Sequence, residues 1–521
     1  MTEPRKFALD DDTVVVVIGS GAGGGTLSRA LSQRGIDVVC LEAGGRLKMG
    51  DIVNDEAQMF GKFTWLDERI GEGDMPANFP IWNCKTVGGT TMHWTAACPR
   101  FQEHEFRARS TYGEVEGTSL ADWPFPLAEL APWYERAEDL MGVTHTHGIA
   151  PLPANNNYLV LEAGARLAGY HDMDTNNMAI NSAPRDGRAS CLELGFCTSG
   201  CATGAKWSTL YTEVPKAELT RHFELRPNCM ALKVLTGKDG RVAGVRYLDP
   251  EGQARVQKAR ALCVAGNVVE TTRLLLNSAS GTAPNGLANS SGQLGRNYMH
   301  HVLAGVVAVM PGEVNMYKGA QCAGVVRDET RHDPARGFAG GFQMHTVNFT
   351  PETLANLLLP GAWGTRLTSV LDRYRNLAAL LIIGEDPARP DNRVTLHATR
   401  KDRYGLPVPV ISYRHHPNSR AMLKYALSAA RKVYAALGAT EFYDMVDVFP
   451  STHNMGTARM GDDPAGNVCN RWGQTHEVRN LFVSDGSVFS SAGCENPTLT
   501  IVALALRQAD YLEKQMKSGA V

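Results

Sequence analysis

No stretch of this chain stays apolar for anything near the ~20 residues that a membrane-spanning helix needs, so spanning segments are excluded from the reading. Charge of one sign is also missing. Lys and Arg number 52 against 54 Asp and Glu, a formal net charge of -2, which gives nucleic acid or an anionic membrane no electrostatic footprint. Cysteine is sparse: 11 in 521 residues are too few for a disulfide scaffold, and most are expected to sit reduced in a core. The opening residues "MTEPRKFALDDDTVVVVIGS" lack a charged segment followed by a long apolar one, so no export signal is expected and the expected location is the cytoplasm. Internal repeats and low-complexity tracts are absent too, which excludes solenoid and linker-rich architectures.

What is there is an ordinary globular mixture, 43% apolar and 20% charged, long enough for two or three domains or one large discontinuous α/β unit. The first strong element is "TVVVVIGSGAGGGTLSRALSQRGIDVVCLEAGG". Val14 to Ile18 is a β-branched run that predicts a buried parallel strand. Gly19-x-Gly21-x-x-Gly24 follows it, and Leu27, Ala30 and Leu31 then fall at helical spacing. A second strand ends at Glu42, completing a βαβ unit of about the ~30 residues expected. Further on, turn signals at Lys238-Asp239-Gly240 and Pro250-Glu251-Gly252 predict a β-meander, followed by a strand from Ala261 to Ala265 and a helix through Arg273 to Leu276. "LAGVVAVM" and "LAALLIIGE" predict strands of an antiparallel sheet between His301 and Asp444. The last residues return to strand, glycine turn and helix in "NLFVSDGSVF" and "NPTLTIVALALRQADYLEKQM".

A lone glycine fingerprint is weak evidence, but here a strand feeds it and a helix leaves it. Gly21 lets the backbone approach a pyrophosphate beside Ser20, a further cofactor-binding candidate, and the helix start offers N–H donors and partial positive charge. Glu42, at the end of the second strand, can accept a ribose hydroxyl, which points to NAD or FAD without choosing between them.

The choice comes from motifs elsewhere. "VGGTTMHW" (Val87 to Trp94), "VAGNVVETTRLLLNS" (Val264 to Ser278), "GLANSSGQLGRNYMHH" (Gly286 to His301), "GEDPARPDNRVTL" (Gly384 to Leu396) and "STHNMGTARMG...NLFVSDGSVFSSAGCENPTLTIVALALRQAD" occur in that order. Together with the glycine fingerprint they resemble, nearly end to end, the glucose-methanol-choline (GMC) flavoprotein oxidoreductases, nearest the pyranose oxidase and bacterial FAD-dependent sugar dehydrogenase branch. The resemblance implies FAD and an α/β fold. A Rossmann-like FAD-binding domain, discontinuous in sequence (1–102, 205–300 and 445–521), would carry a second, substrate domain (103–204 and 301–444) built on an antiparallel sheet with helices.

The resemblance also implies roles. His453, in His453-Asn454-Met455-Gly456, matches the family's base, and Asn496, before Pro497, matches the partner that orients the substrate hydroxyl. An isolated histidine usually only satisfies local hydrogen bonds. An imidazole of pKa roughly 6.5 is nonetheless suited to taking an alcohol proton while the hydride goes to flavin N5. Gly88, Gly89, Thr90, His93, Trp94 and Thr95 would pass along the flavin, with a covalent link at His93 as in some relatives. Ala43 would stand beside Glu42, Ala231 would meet the adenine, and Asp485 the phosphate–ribityl region. His345 and Glu385 are further candidates for the pocket wall, whereas His300, His301 and His476 take a structural reading.

Cys191-x₅-Cys197-x₃-Cys201 admits three readings: reduced structural thiols, zinc, or an iron–sulfur cluster like that on a similar loop in bacterial sugar dehydrogenases. Zinc lacks a fourth ligand at ordinary spacing. The expected reaction is oxidation of a secondary alcohol, a sugar or glycoside hydroxyl, to the ketone. The electron acceptor would be oxygen, a quinone or a cytochrome, and a small subunit is one expected partner. The alternatives are a non-sugar (aryl or terpenoid) alcohol, or a lyase of the same fold that keeps FAD only as structure.

Overall fold

The computed structural model describes residues 5–446 and 450–521. The β-branched run forms a strand at Val15–Ile18, buried along its whole length. It pairs in parallel with Val38–Leu41 on one side and Ala261–Val264 on the other. Leu481–Val483 and Phe223–Arg226 extend this to a five-stranded, all-parallel sheet. Strands buried on both faces need continuous apolar residues rather than alternation, which is what "VVVI" and "VVCL" supply.

The helix Ala22–Ser32 starts directly after Gly21 and lies against the sheet. Gly24 makes that approach possible: a Cβ there would stand 2.0 Å from the Gly19 carbonyl oxygen. This helix packs on the C-terminal helix Thr498–Lys517, which packs in turn on Leu127–Met141. Leu27, Leu31, Leu499 and Val502 close the layer with no exposed surface, each burial contributing about 1.5–3 kcal/mol.

A meander of Met230–Thr236, Val242–Leu248 and Ala254–Lys258 precedes the strand at Ala261, with its turns where the glycine signals predicted them. A six-stranded sheet holds a second core. Its order is Glu441–Val446, Val302–Val309, Leu377–Gly384, Phe342–Thr346, Gly324–Val326 and Met173–Thr175, antiparallel throughout. The long helix Pro417–Ala435 covers it, burying Met422, Ala426, Ala430 and Val433. A smaller sheet ties distant segments together, pairing Arg393–Lys401 with Pro407–Tyr413, and the latter in parallel with Ile70–Gly73. The mixed α/β class, with one parallel sheet and separate antiparallel sheets, is the expected one. Among the described residues no helix is long and apolar enough to cross a membrane.

Candidate active site

A cavity of about 710 Å³ opens at the carboxyl ends of the parallel strands, the position where open α/β sheets bind ligands. Gly19, Ser20, Gly21, Glu42 and Ala43 line one end, and Ala231 borders it from the meander. Gly89, Thr90, His93, Trp94 and Thr95 run along one wall, and Asp485, Asn496, Pro497 and His453 lie along another. Gly24 and Gly88 do not border the cavity. Gly24 is spent on helix packing, and the Gly88 amide donates to Ser20 Oγ at 3.1 Å.

Three helices begin at this cavity: Ala22–Ser32, Asn267–Asn277 and Thr498–Lys517. Their unpaired N–H groups and dipoles favour an anionic ligand. Glu42 accepts from Ser20 N and Oγ at 3.0 and 2.7 Å and from Gly44 N at 2.9 Å, so its carboxylate is fixed in orientation at the cavity edge. Burial raises its pKa, and those hydrogen bonds oppose the rise. Asp485 is held likewise by Ser487 N and Oγ and by Thr271 Oγ1. A long cavity with backbone donors at one end, a fixed carboxylate beside them and an apolar far end fits a dinucleotide such as FAD.

His453 stands at that far end in a segment held by two isolated bridges, Ile81 to Ser451 and Met299 to Met455. Its Nε2 lies 3.4 Å from Asn496 Nδ2, and its Nδ1 lies 2.9 Å from His301 Nδ1. Burial pushes the His453 pKa down to about 4, which keeps the ring neutral near neutral pH. Asn496 Oδ1 is buried, borders the cavity and has no hydrogen-bond partner among the described residues, an acceptor open to a ligand hydroxyl. Sequence reasoning left His301 as structural. Its place at the end of "GRNYMHH" marks the segment but not which of the two histidines meets His453.

His93 is buried with its ring stacked on Trp82 at 4.4 Å, and its Nε2 lies 3.1 Å from the Trp82 carbonyl oxygen. His345 and Glu385 are buried but do not border the cavity. Asn176 Nδ2 donates to His345 Nδ1 at 2.9 Å. Glu385 accepts from Tyr112 OH at 2.8 Å and from Gly341 N at 3.0 Å, and burial pushes its pKa up to about 8. His476 bonds the Gly461 carbonyl oxygen at 3.0 Å, a local structural contact.

The cysteine loop flanks the cavity through Thr198 and Ser199, while Cys191, Cys197 and Cys201 themselves do not border it. Among the described residues these thiols do not gather within the 4.8 Å that a shared single ion would require. Burial raises Cys191 and pushes Cys197 up to about 11. The amides of Glu193 and Lys206 point at the sulfurs of Cys191 and Cys201, at 3.4 and 3.3 Å.

Comparison with known proteins accounts for this arrangement. The GMC oxidoreductase family models match residues 11–303 and 388–505. The chain is similar to 2-methyl-1,2-propanediol dehydrogenase of Mycolicibacterium austroafricanum, 33% identical over 97% of this chain and 96% of the relative. It is also similar to 6'''-hydroxyparomomycin C oxidase of Streptomyces lividus, 32% identical over 95% of this chain and 90% of the relative. In fold it is similar to pyridoxine 4-oxidase from Mesorbium loti, with a TM-score of 0.70 and 18% identity, covering 96% of this chain and 99% of that one. With both of its halves matched, the chain belongs to the GMC oxidoreductase family and is an FAD-dependent oxidoreductase of CH–OH groups.

Proposed function

We propose that the protein oxidises a secondary alcohol to a ketone, with His453 as the base and Asn496 orienting the hydroxyl. The observation that carries this reading is the convergence of His453 Nε2 and the Asn496 carboxamide, whose Nδ2 lies 3.4 Å from it, on the wall of one cavity. FAD, held by the glycine fingerprint, Glu42, the Gly89–Thr95 wall and Asp485, supplies the hydride acceptor. The chain's own part is the proton. Asn496 Nδ2, beside His453 Nε2 at 3.4 Å, donates to the substrate oxygen and leaves the hydroxyl's single proton aimed at His453 Nε2, which takes it as the carbonyl forms. In this reading 1–102, 205–300 and 445–521 serve the cofactor, and 103–204 and 301–444 serve the substrate.

Two substrate classes have specific support. A sugar or glycoside hydroxyl agrees with the sequence resemblance. An aryl or terpenoid alcohol agrees with the apolar side chains of Leu303, Val347, Phe349, Leu381 and Ile383 that line the cavity. Anaerobic addition of sugars, glycosides, and aryl and terpenoid alcohols should bleach the flavin absorbance with members of one class. No bleaching by any alcohol would remove the proposal and leave the lyase alternative.

Asn496→Ala is expected to slow flavin reduction by about tenfold, the loss of one hydrogen bond of roughly 1.4 kcal/mol in the transition state. An unchanged rate would remove Asn496 from the chemistry. Acid precipitation decides the covalent link. His93 Nε2 faces the Trp82 carbonyl, which leaves Nδ1 as the nitrogen able to bond carbon. A yellow pellet that His93→Ala turns colourless assigns the tether, and a colourless wild-type pellet dismisses it. Iron assayed on the same holoenzyme decides between a cluster and reduced thiols at Cys191, Cys197 and Cys201. The acceptor (oxygen, a quinone or a cytochrome) and any small subunit are open to the same turnover assays.

A further inference from the structure

The backbone pairs the two halves of the chain at one point beside the cavity. Met299 and Met455 exchange both amide–carbonyl hydrogen bonds at 2.9 Å as an antiparallel bridge. In antiparallel register, two residues forward from Met299 lies opposite two residues back from Met455. Those positions are His301 and His453. Their rings meet edge to face with centroids 4.9 Å apart and Nδ1 atoms 2.9 Å apart.

The proton positions follow from the partners. An amide NH₂ only donates, so the Asn496 Nδ2 contact requires His453 Nε2 to be unprotonated. The His453 proton is then on Nδ1 and is donated to His301 Nδ1, which places the His301 proton on Nε2. Burial lowers the His301 pKa well below the ordinary imidazole value, and charge on His453 would lower it further; the Ala492 carbonyl beside the ring opposes this only in part.

Behind the pair is a separate small cavity of about 30 Å³, lined by His300, His301, His415, Ser451, His453 and Asp74. That exceeds the ~10–15 Å³ one water needs, and its wall is polar. Asp74, at its outer end, keeps 30% of its side chain exposed and pairs with Arg420.

We propose that His301 is the second half of the base: a positioning residue that fixes the tautomer of His453 and accepts the hydrogen bond that steadies the charge His453 gains, with water in the cavity behind them solvating that charge. The proposal rests on the reading of His453 as the base. In the step, the alcohol O–H bond breaks and its proton bonds to His453 Nε2. The His453 Nδ1–H bond stays intact and is donated to His301 Nδ1, so the positive charge stays on His453 and is stabilised by that acceptor. The two electrons leave with the substrate's hydride to the cofactor. His453 Nε2 releases the proton once the ketone has left.

An acceptor is useful there because burial disfavours the charge that His453 gains. Of the groups facing the pair, burial holds His93 and His345 down to about 3, so neither adds a like charge. His300 and His415 also face the cavity; Asp74, at its outer end, is paired with Arg420, and Asp386 lies beyond His300.

The test compares holoenzyme variants in anaerobic stopped flow, with ¹⁵N-histidine-labelled protein read by NMR. The His453 signals are assigned by their loss in His453→Ala. His301→Ala is expected to slow flavin reduction at saturating substrate by at least about tenfold at unchanged flavin content, and to move the His453 proton off Nδ1. His301→Asn supplies an acceptor oxygen in place of Nδ1. It is expected to restore both the His453 tautomer and most of the rate. A restored tautomer without recovered rate in His301→Asn overturns the positioning role, and a wild-type rate in His301→Ala overturns the whole proposal. If His301→Ala does not fold, His301→Asn carries the test by the same two readings. A fast His453→Ala is a different result, the failure of the base assignment itself.

Discussion

Replacing His453 with alanine is expected to lower the rate of flavin reduction by substrate about 10²–10⁴-fold, the range a positioned proton acceptor contributes. The effect should appear in the reductive step, because that is where the alcohol proton leaves. Flavin content should hold, since the glycine fingerprint and Glu42 lie at the other end of the cavity. The acid limb gives a second signature. Burial lowers the His453 pKa to about 4, and the protonated ring cannot accept. The wild-type rate should therefore be level from about pH 5 upward and fall as pH falls through about 4. Stopped-flow reduction across pH, with absorbance read at the flavin band, measures both. A loss of less than about tenfold would take the base role away from His453 and leave orientation by Asn496 as the larger contribution.

Much of the fold around this cavity was legible in the sequence, for a physical reason. The βαβ unit is written locally: "VVVVI" can only be a buried strand, and the glycines that follow have to turn and let a helix approach. The meander was legible for the same reason, through Lys238-Asp239-Gly240 and Pro250-Glu251-Gly252. What escaped is what depends on pairing between distant segments. The register that matches Pro407–Tyr413 with Ile70–Gly73 has no local signal, because neither segment alone prefers a partner. The same holds for His301. Nothing in "YMHH" distinguishes its last histidine from its first, and only the Met299–Met455 bridge turns one of them onto His453. His345 and Glu385 show the converse. Their residue types suggest a pocket wall, but strand direction and the buried Tyr112–Glu385 bond turn them elsewhere. Residue chemistry nominates candidates, and long-range register selects among them.

Lys206 is the strongest case of such a hidden determinant, since a lysine after a cysteine loop reads as an ordinary exposed charge. It is 1% exposed, and its ammonium donates to the carbonyl oxygens of Met92 and Trp94 at 2.8 Å and of Cys197 at 2.6 Å. Burial lowers its pKa to about 8, so at neutral pH the cation predominates and each of its N–H bonds has an acceptor. These carbonyls belong to two loops: the one that carries His93 along the cavity and the one that carries Cys197. Lys206→Met keeps most of the volume and removes every donor. Each stranded carbonyl costs about 1–3 kcal/mol, offset in part because no charge is then buried, so a net loss of about 2–5 kcal/mol is expected. The losses will not simply add, since the acceptors share one donor. The variant should melt well below the wild type and retain less FAD, because the backbone on both sides of His93 loses its anchor. Thermal unfolding of the holoenzyme with flavin fluorescence as the second probe measures both effects. A variant with wild-type melting and full flavin would mean that packing alone holds the two loops together.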